Sequence, residues 1–176
     1  MADKKNIIMA WSECKVEIGT TADDGSMATT LTSVGTIKDK SSTLEPSDGD
    51  TLEAKATGGK TVAKETLEGG YKFTTRVIEP EDSVYVNLGV ATVDTDGELK
   101  VTTHVVSGQR SLKVTPKNVG AKGIKAPCCN VSFKPGWSEE EGNYLDLEFD
   151  ILKGAADYWY SKFTKTAATS TEEKSA

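Results

Sequence analysis

The sequence predicts a mainly β protein, an antiparallel β-sandwich or barrel of about eight strands with one short flanking α-helix. Hydrophobic residues make up 36% of the 176 residues and charged residues 27%, a balance typical of strands that are polar on one face. Apolar and polar residues alternate in several segments, most clearly in YLDLEFDIL, residues 144 to 152. Gly-Gly and Asp-Gly pairs separate these segments, as expected for turns between neighbouring antiparallel strands.

The first third of the chain predicts two strands joined by polar loops. ECKVEIG, residues 13 to 19, alternates as a strand does, and the polar run at 20 to 30 reads as a loop. A second strand is predicted at 34 to 40. Residues 44 to 50 contain Pro46 and an Asp-Gly pair, so we expect them to form an exposed excursion outside the strands.

Two glycine pairs predict a three-stranded meander in the middle of the chain. If Gly58-Gly59 and Gly69-Gly70 each form a two-residue hairpin turn, glycine supplies the positive φ that such turns need. Three consecutive strands then pair in order. The expected facing pairs are Glu53 with Lys64, Lys55 with Val62, Val62 with Val77, Thr66 with Phe73 and Glu68 with Tyr71.

The third strand of this meander predicts which side faces the core. Its apolar side consists of Tyr71, Phe73, Thr75 and Val77, and its outward side of Lys72, Thr74 and Arg76. A short helix is expected next, because Pro80 suits a first helical turn and Gly89 suits a C-terminal cap after Leu88. Further strands are predicted at 99 to 107, 111 to 115, 124 to 134 and 144 to 153.

The chain length favours one domain, which we place at residues 1 to 163. DYWYSKF, residues 157 to 163, carries enough aromatic surface to dock on that domain. The remaining residues, 164 to 176, contain little apolar material and are expected to be disordered or to become ordered in an assembly. The apolar run near the N-terminus, residues 7 to 11, is too short for a signal-peptide core, so we expect the chain to be cytoplasmic when made, with no membrane partner.

The residues that could carry chemistry do not form a catalytic pattern. His104 is the single histidine and is expected on a strand surface. Cys128 and Cys129 point to opposite faces of a strand, which predicts one buried and one half-exposed reduced thiol and no zinc site. The net charge of −6 disfavours tight nucleic-acid binding. We therefore predict no catalytic residue, no metal site and no cofactor.

One run of sequence resembles a known family. Residues 35 to 80, GTIKDKSSTLEPSDGDTLEAKATGGKTVAKETLEGGYKFTTRVIEP, are similar to the central region of major tail tube proteins of phages and prophages. The shared features are a lysine-rich strand, an S-S-T-L-x-P-x-x-G excursion and strands linked by Gly-Gly. Needle proteins of contractile injection and type VI secretion systems share that fold.

The resemblance implies a structural protein that assembles with itself. Six subunits would form a ring, and stacked rings would form a hollow tube, part of a virion tail, through which DNA passes as cargo. Other tail proteins would be partners, the helix at 80 to 88 would pack outside the barrel, and outer strands would pair between subunits. Residues 41 to 57 would reach the neighbouring ring, with contacts from Ser41, Ser42, Thr43, Leu44, Glu45, Asp48, Asp50, Glu53 and Lys55.

Three other functions remain open from the sequence. A carbohydrate-binding β-sandwich would use Trp11, Trp137 or Trp159 as a stacking platform. A secreted adhesin or pilin would share the β architecture. A hydrolase would require the acidic strand at 144 to 151 to line a pocket.

Overall fold

The protein is described by a computed structural model, which covers residues 8–10, 13–155 and 157–167. The fold is mainly β, with a curled antiparallel sheet that forms a half-barrel and one helix. This confirms the predicted fold class. The strands are β1 (Cys14–Thr20), β2 (Thr32–Ser33), β3 (Thr36–Ile37), β4 (Thr43–Ser47), β5 (Thr51–Lys55), β6 (Thr61–Thr66), β7 (Gly70–Ile78), β8 (Ala91–Val93), β9 (Leu99–Val101), β10 (Arg110–Pro116), β11 (Lys122–Ser138), β12 (Gly142–Ile151) and β13 (Ser161–Thr164), and the helix is α1 (Asp82–Leu88).

The main sheet has nine strands in the order β2-β1-β10-β11-β12-β7-β3, with β4 added to β7 and β13 added to β11. All of its pairings are antiparallel. The short strands β2 and β3 follow each other closely in the chain, yet β2 pairs with β1 and β3 pairs with β7. This segment therefore links the two ends of the curled sheet.

Alternation along the strands places the core inside the curl. On β12 the apolar side chains are buried, and the acidic side chains between them are partly exposed. On β7 the predicted inward and outward sides are also observed, with Phe73, Thr75 and Val77 buried. The side chains that are fully buried and largest include Phe149, Leu88, Leu112, Leu145, Leu147 and Ile151.

The helix lies where the sequence predicted it but starts two residues later than Pro80. Glu81 is the N-cap residue, and Gly89 ends the helix in the left-handed conformation with φ 74°. Val84, Tyr85 and Leu88 join the same hydrophobic core as the sheet. Among the described residues, no helix has both the length and the apolar character needed to cross a membrane.

The predicted meander is wrong in its second half. β6 pairs with β5, and β7 pairs with β12, β4 and β3 rather than with β6. The expected pairs Thr66 with Phe73, Glu68 with Tyr71 and Val62 with Val77 therefore do not form. Neither Gly69 nor Gly70 has a positive φ, so this glycine pair is not a tight hairpin turn.

The predicted excursion is also wrong in part. Thr43–Ser47 forms β4 along the edge of β7, with Leu44 opposite Phe73 and Pro46 opposite Tyr71. Proline is tolerated in an edge strand because its missing N–H removes no hydrogen bond from the sheet interior. Only the end of the predicted excursion, Asp48 to Asp50, lies outside the strands.

Two of the predicted strands are much shorter in the structure. The strand expected at 34 to 40 is reduced to Thr36–Ile37, and the one expected at 99 to 107 ends at Val101. The described residues form thirteen strands rather than about eight, because several are two or three residues long.

The C-terminal aromatic segment docks as expected. Trp159 and Tyr160 make edge-on contacts with Tyr71, with ring centroids 6.0 and 5.1 Å apart. The segment then continues into β13, which pairs with the start of β11 and ends at Thr164. The residues of the predicted disordered tail from 168 onward lie outside the described part of the chain.

Candidate functional site

A hairpin arm at residues 50 to 67 stands apart from the rest of the sheet. It consists of β5, β6 and the turn between them, and these two strands pair with each other and with no other strand in the described chain. Gly58 and Gly59 have φ of 90° and 79°, values that favour glycine, and a hairpin forms here as predicted. Its loop spans residues 57 to 59 rather than the expected glycine pair alone, because the Ala56 N–H donates to the Lys60 carbonyl at 2.8 Å. Glu53 lies opposite Lys64, as the sequence predicted.

One predicted pair in the arm is shifted by a bulge. The register changes between Ala54 and Lys55, so that Lys55 lies opposite Thr61 rather than Val62. A bulge bends and twists an exposed strand, which protects its edge from unspecific pairing.

Both faces of the arm are open to solvent. Every residue of β5 and β6 is exposed, including Leu52 at 55% and Val62 at 63%. Residues that face each other across a hairpin share one side, so Leu52, Ala54, Ala63 and Glu65 form a face that is apolar except for one carboxylate. The opposite face carries Glu53, whose carboxylate lies 3.5 Å from the Lys55 ammonium and 3.7 Å from that of Lys64.

The base of the arm is closed by two glycines that let the backbones approach. A Cβ on Gly69 would overlap the carbonyl oxygen of Ser47 and lie 2.7 Å from the amide nitrogen of Gly49. A Cβ on Gly49 would overlap the carbonyl oxygen of Leu67. The Leu67 N–H donates to the Asp50 carbonyl at 2.8 Å and completes the base. These glycines are required by contact between backbones and not by turn geometry.

The predicted contact residues divide between the arm and the sheet. Asp50, Glu53 and Lys55 belong to the arm, and Asp48 lies in the exposed link before it. The other five, Ser41, Ser42, Thr43, Leu44 and Glu45, lie along the edge of β7 in or beside β4. Three of them make hydroxyl hydrogen bonds to β7: Ser42 with Thr75 and Thr43 with Thr74, each at 2.8 Å, and Ser41, whose hydroxyl accepts from the Arg76 N–H at 3.2 Å.

Sequence reasoning did not predict that the second strand of the arm is separate from the main sheet. It names Lys64, with Glu53 and Lys55, as a charged edge residue that discriminates between neighbours, but it places β6 beside β7, because the second glycine pair is interpreted as a hairpin turn. The composition of residues 50 to 67 carries a signal against that interpretation. It has no aromatic residue and no run of large apolar residues, so it cannot fill a core position.

Ion pairs cover the outer face of β7 and β12. Arg76 donates to Asp146 through Nε at 2.6 Å and to Glu141 through Nη1 at 2.6 Å, and the Lys38 ammonium also bonds Glu141. The hydrogen bond from Lys38 is the main reason that the pKa of Glu141 lies below its usual value. Lys72 donates to Glu148 at 2.7 Å and lowers the pKa of that carboxyl too.

These pairs bear on the hydrolase alternative. A general acid in glycoside hydrolysis needs a carboxyl whose pKa is raised, and the partners here favour the ionised form of Glu141 and Glu148. Glu141 and Glu148 therefore belong to an ion-paired outer surface.

The cysteines and the histidine lie apart from any cluster. Cys128 and Cys129 are both buried, so the expectation of a half-exposed thiol is wrong. Cys129 faces the core, and Cys128 is covered on the other face, where its Sγ lies 2.8 Å from the Gln109 amide oxygen. His104 is exposed in a bend after β9 and not on a strand. Within the described ranges, no three metal-ligating side chains come together.

The two described tryptophans lie far apart. Trp137 is 67% exposed near the start of β12, and Trp159 is half-buried near its end, where it packs on Tyr71. A ten-residue strand places these ends on the order of 30 Å apart. Trp11 lies outside the described residues.

Known proteins give no direct guide to this site. A scan against models of protein families finds no match, and a search of curated proteins finds none either.

Proposed function

We propose that this protein is a structural subunit that assembles with copies of itself, in the manner of a phage or prophage tail tube protein. In this proposal, six subunits form a ring, a number taken from the family resemblance, and the rings stack into a tube for DNA passage. The observation that carries the proposal is the hairpin arm at residues 50 to 67, which extends from a completed core and packs on nothing in its own described chain.

The physical argument begins with the stability of the arm. A two-stranded hairpin without a packed face is marginally stable in water, because its strands bury little apolar surface. The arm nevertheless exposes Leu52, Val62 and Leu67. A partner surface that covers these side chains would supply the burial that the subunit itself does not, at roughly 25 cal/mol for each Å² of apolar surface removed from water.

The second argument concerns specificity. The charged face of the arm presents one acidic and two basic side chains, Glu53, Lys55 and Lys64. Surface ion pairs of this kind add little stability, but their arrangement discriminates between partners when they meet complementary charges. An arm with one mostly apolar face and one charged face suits recognition of a defined neighbouring subunit.

A matched pair of substitutions tests the proposal. Val62→Asp places a charge on the arm, and Val105→Asp makes the same change at a valine that is 59% exposed outside the arm. Both variants should fold as the parent does, since exposed substitutions change stability by about 0.5 kcal/mol or less. Sedimentation of concentrated protein should show assembly of the parent and of Val105→Asp but not of Val62→Asp. Equal assembly of all three would remove the arm from the proposed interface.

A further inference from the structure

Arg110, the first residue of β10, is a buried cation without an acidic partner in the described chain. Arg110 is 8% exposed, and no described carboxylate forms an ion pair with its side chain. Its Nη1 and Nη2 donate to the carbonyl oxygens of Gln109 and Leu88, each at 3.3 Å. Its Nε is buried and has no hydrogen-bond partner among the described residues.

Part of this arrangement is explained by the helix. Leu88 is in the last turn of α1, and a cation near a helix C-terminus interacts favourably with the helix dipole. The two bonds are long, however, and both acceptors are neutral. Among the described residues, the positive charge has no counter-ion and the Nε–H has no acceptor, which is an unfavourable state for a buried guanidinium.

A polar cleft of about 330 Å³ lies beside Arg110. Its walls come from the end of β1, the segment at 29 to 32 and the last turn of α1. Gly19 lets that segment pass close over β1, because a Cβ there would overlap the carbonyl oxygen of Thr30. The polar side chains that line the cleft are Thr20, Thr29, Thr30, Thr32, Asn87 and Arg110.

The groups that line this cleft are suited to a small anion. Hydroxyl and amide groups can donate hydrogen bonds without adding charge, and the cleft lining contains four threonines and one asparagine but no acidic residue. A guanidinium matches the planar, paired oxygen atoms of carboxylate and phosphate groups and stays charged at neutral pH.

We propose that this cleft binds a small oxyanion, inorganic phosphate or a free carboxylate, with Arg110 as the counter-charge and the threonine hydroxyls and Asn87 amide as further donors. Burial lowers the pKa of Arg110 because desolvation disfavours its charged form, and a bound anion would offset that effect. The site is separate from the hairpin arm, and its occupancy does not depend on self-assembly.

Calorimetric titration of dilute parent protein tests the proposal. Inorganic phosphate is titrated in one series and acetate in a second series. Ionic strength is held constant with sodium chloride. The parent should show saturable binding at one site for at least one of the two anions. Arg110→Met should weaken that binding about tenfold or more, the scale expected when a charge-assisted hydrogen bond is lost.

A second variant keeps Arg110 in place and covers the case in which Arg110→Met fails to fold. Asn87→Asp puts a negative charge at the cleft and should weaken anion binding by a similar factor. Its matched control is Asn118→Asp, which makes the same change at an exposed residue just beyond the opposite end of β10 and should bind as the parent does. Absence of saturable binding in the parent overturns the proposal. So does unchanged affinity in a folded Arg110→Met variant or in Asn87→Asp.

Discussion

Replacing Gly69 by alanine should destabilise the protein strongly, whereas the same change at the adjacent Gly70 should not. A Cβ at Gly69 would overlap the Ser47 carbonyl oxygen and lie 2.8 Å from its carbonyl carbon, and both partners are backbone atoms that cannot rotate away. A Cβ at Gly70 would meet its nearest atom, in the Trp159 ring, at 3.4 Å, which is ordinary contact. Neither glycine has a positive φ, so turn geometry does not contribute to the difference.

The magnitude follows from the type of contact. Overpacking typically costs 1 to 3 kcal/mol, and a clash between two backbone segments belongs at the upper end, so we expect a loss of about 3 kcal/mol for Gly69→Ala. Gly70→Ala should lie within about 0.5 kcal/mol of the parent or be slightly more stable, because alanine restricts the unfolded chain.

Urea unfolding followed by circular dichroism measures both variants. With an m-value of about 2 kcal/mol per molar urea, the midpoint for Gly69→Ala should fall by about 1.5 M. A midpoint for Gly69→Ala equal to that of the parent, or a larger loss for Gly70→Ala, would refute the close approach at the base of the arm.

Three further outcomes are expected. In the first, residues 51 to 66 are replaced by a short Gly-Ser linker between Asp50 and Leu67, whose backbones are joined by a hydrogen bond of 2.8 Å. The unfolding midpoint of the remaining domain should stay nearly unchanged, and assembly should be lost. Loss of the folded circular dichroism spectrum would contradict this. The pKa values of Glu141 and Glu148 are lowered in the folded protein, so their contribution to the free energy of unfolding is present above the usual carboxyl pKa of about 4.3 and is lost as the pH falls below it. Urea unfolding at several pH values should therefore show a smaller acid-induced loss of stability for Glu141→Gln than for the parent. The control substitution Glu139→Gln, at an exposed residue nearby, should lose as much stability in acid as the parent does. Burial raises the pKa of Cys129 to about 12 and also raises that of Cys128, so a thiol reagent at pH 8 should modify the half-buried Cys14 first and the other two only after unfolding; rapid modification of a folded Cys14→Ser variant would contradict the burial of the pair.

The sequence predicted the parts of the fold that local patterns determine. Alternation identified the inward sides of β7 and β12, because a two-residue period with one buried face leaves a single solution for each strand. Gly58-Gly59 identified the first hairpin, and Gly89 identified the end of the helix, since both require positive φ. These features depend on residues close together in the chain.

The pairing of strands that are distant in the chain was less predictable. Gly69-Gly70 has the sequence that is typical of a tight hairpin turn. Gly69 is required, however, because the backbones of Ser47 and Gly49 pass close to it, and the sequence around Gly69 does not reveal that contact. The placement of β4 on β7 likewise depends on which edge of β7 is free, and this is decided by the pairing of β7 with β12. As a result, the expected contact region at 41 to 57 spans β4 and β5, which lie in separate sheets of the structure.

Electron microscopy of concentrated, negatively stained parent protein tests the central claim, self-assembly through the arm, most directly. The account predicts rings of uniform diameter that stack into tubes, and it predicts dispersed single subunits for the folded variant in which residues 51 to 66 are replaced by the linker. Single subunits of the parent at millimolar concentration, or tubes formed equally well without the arm, would contradict it.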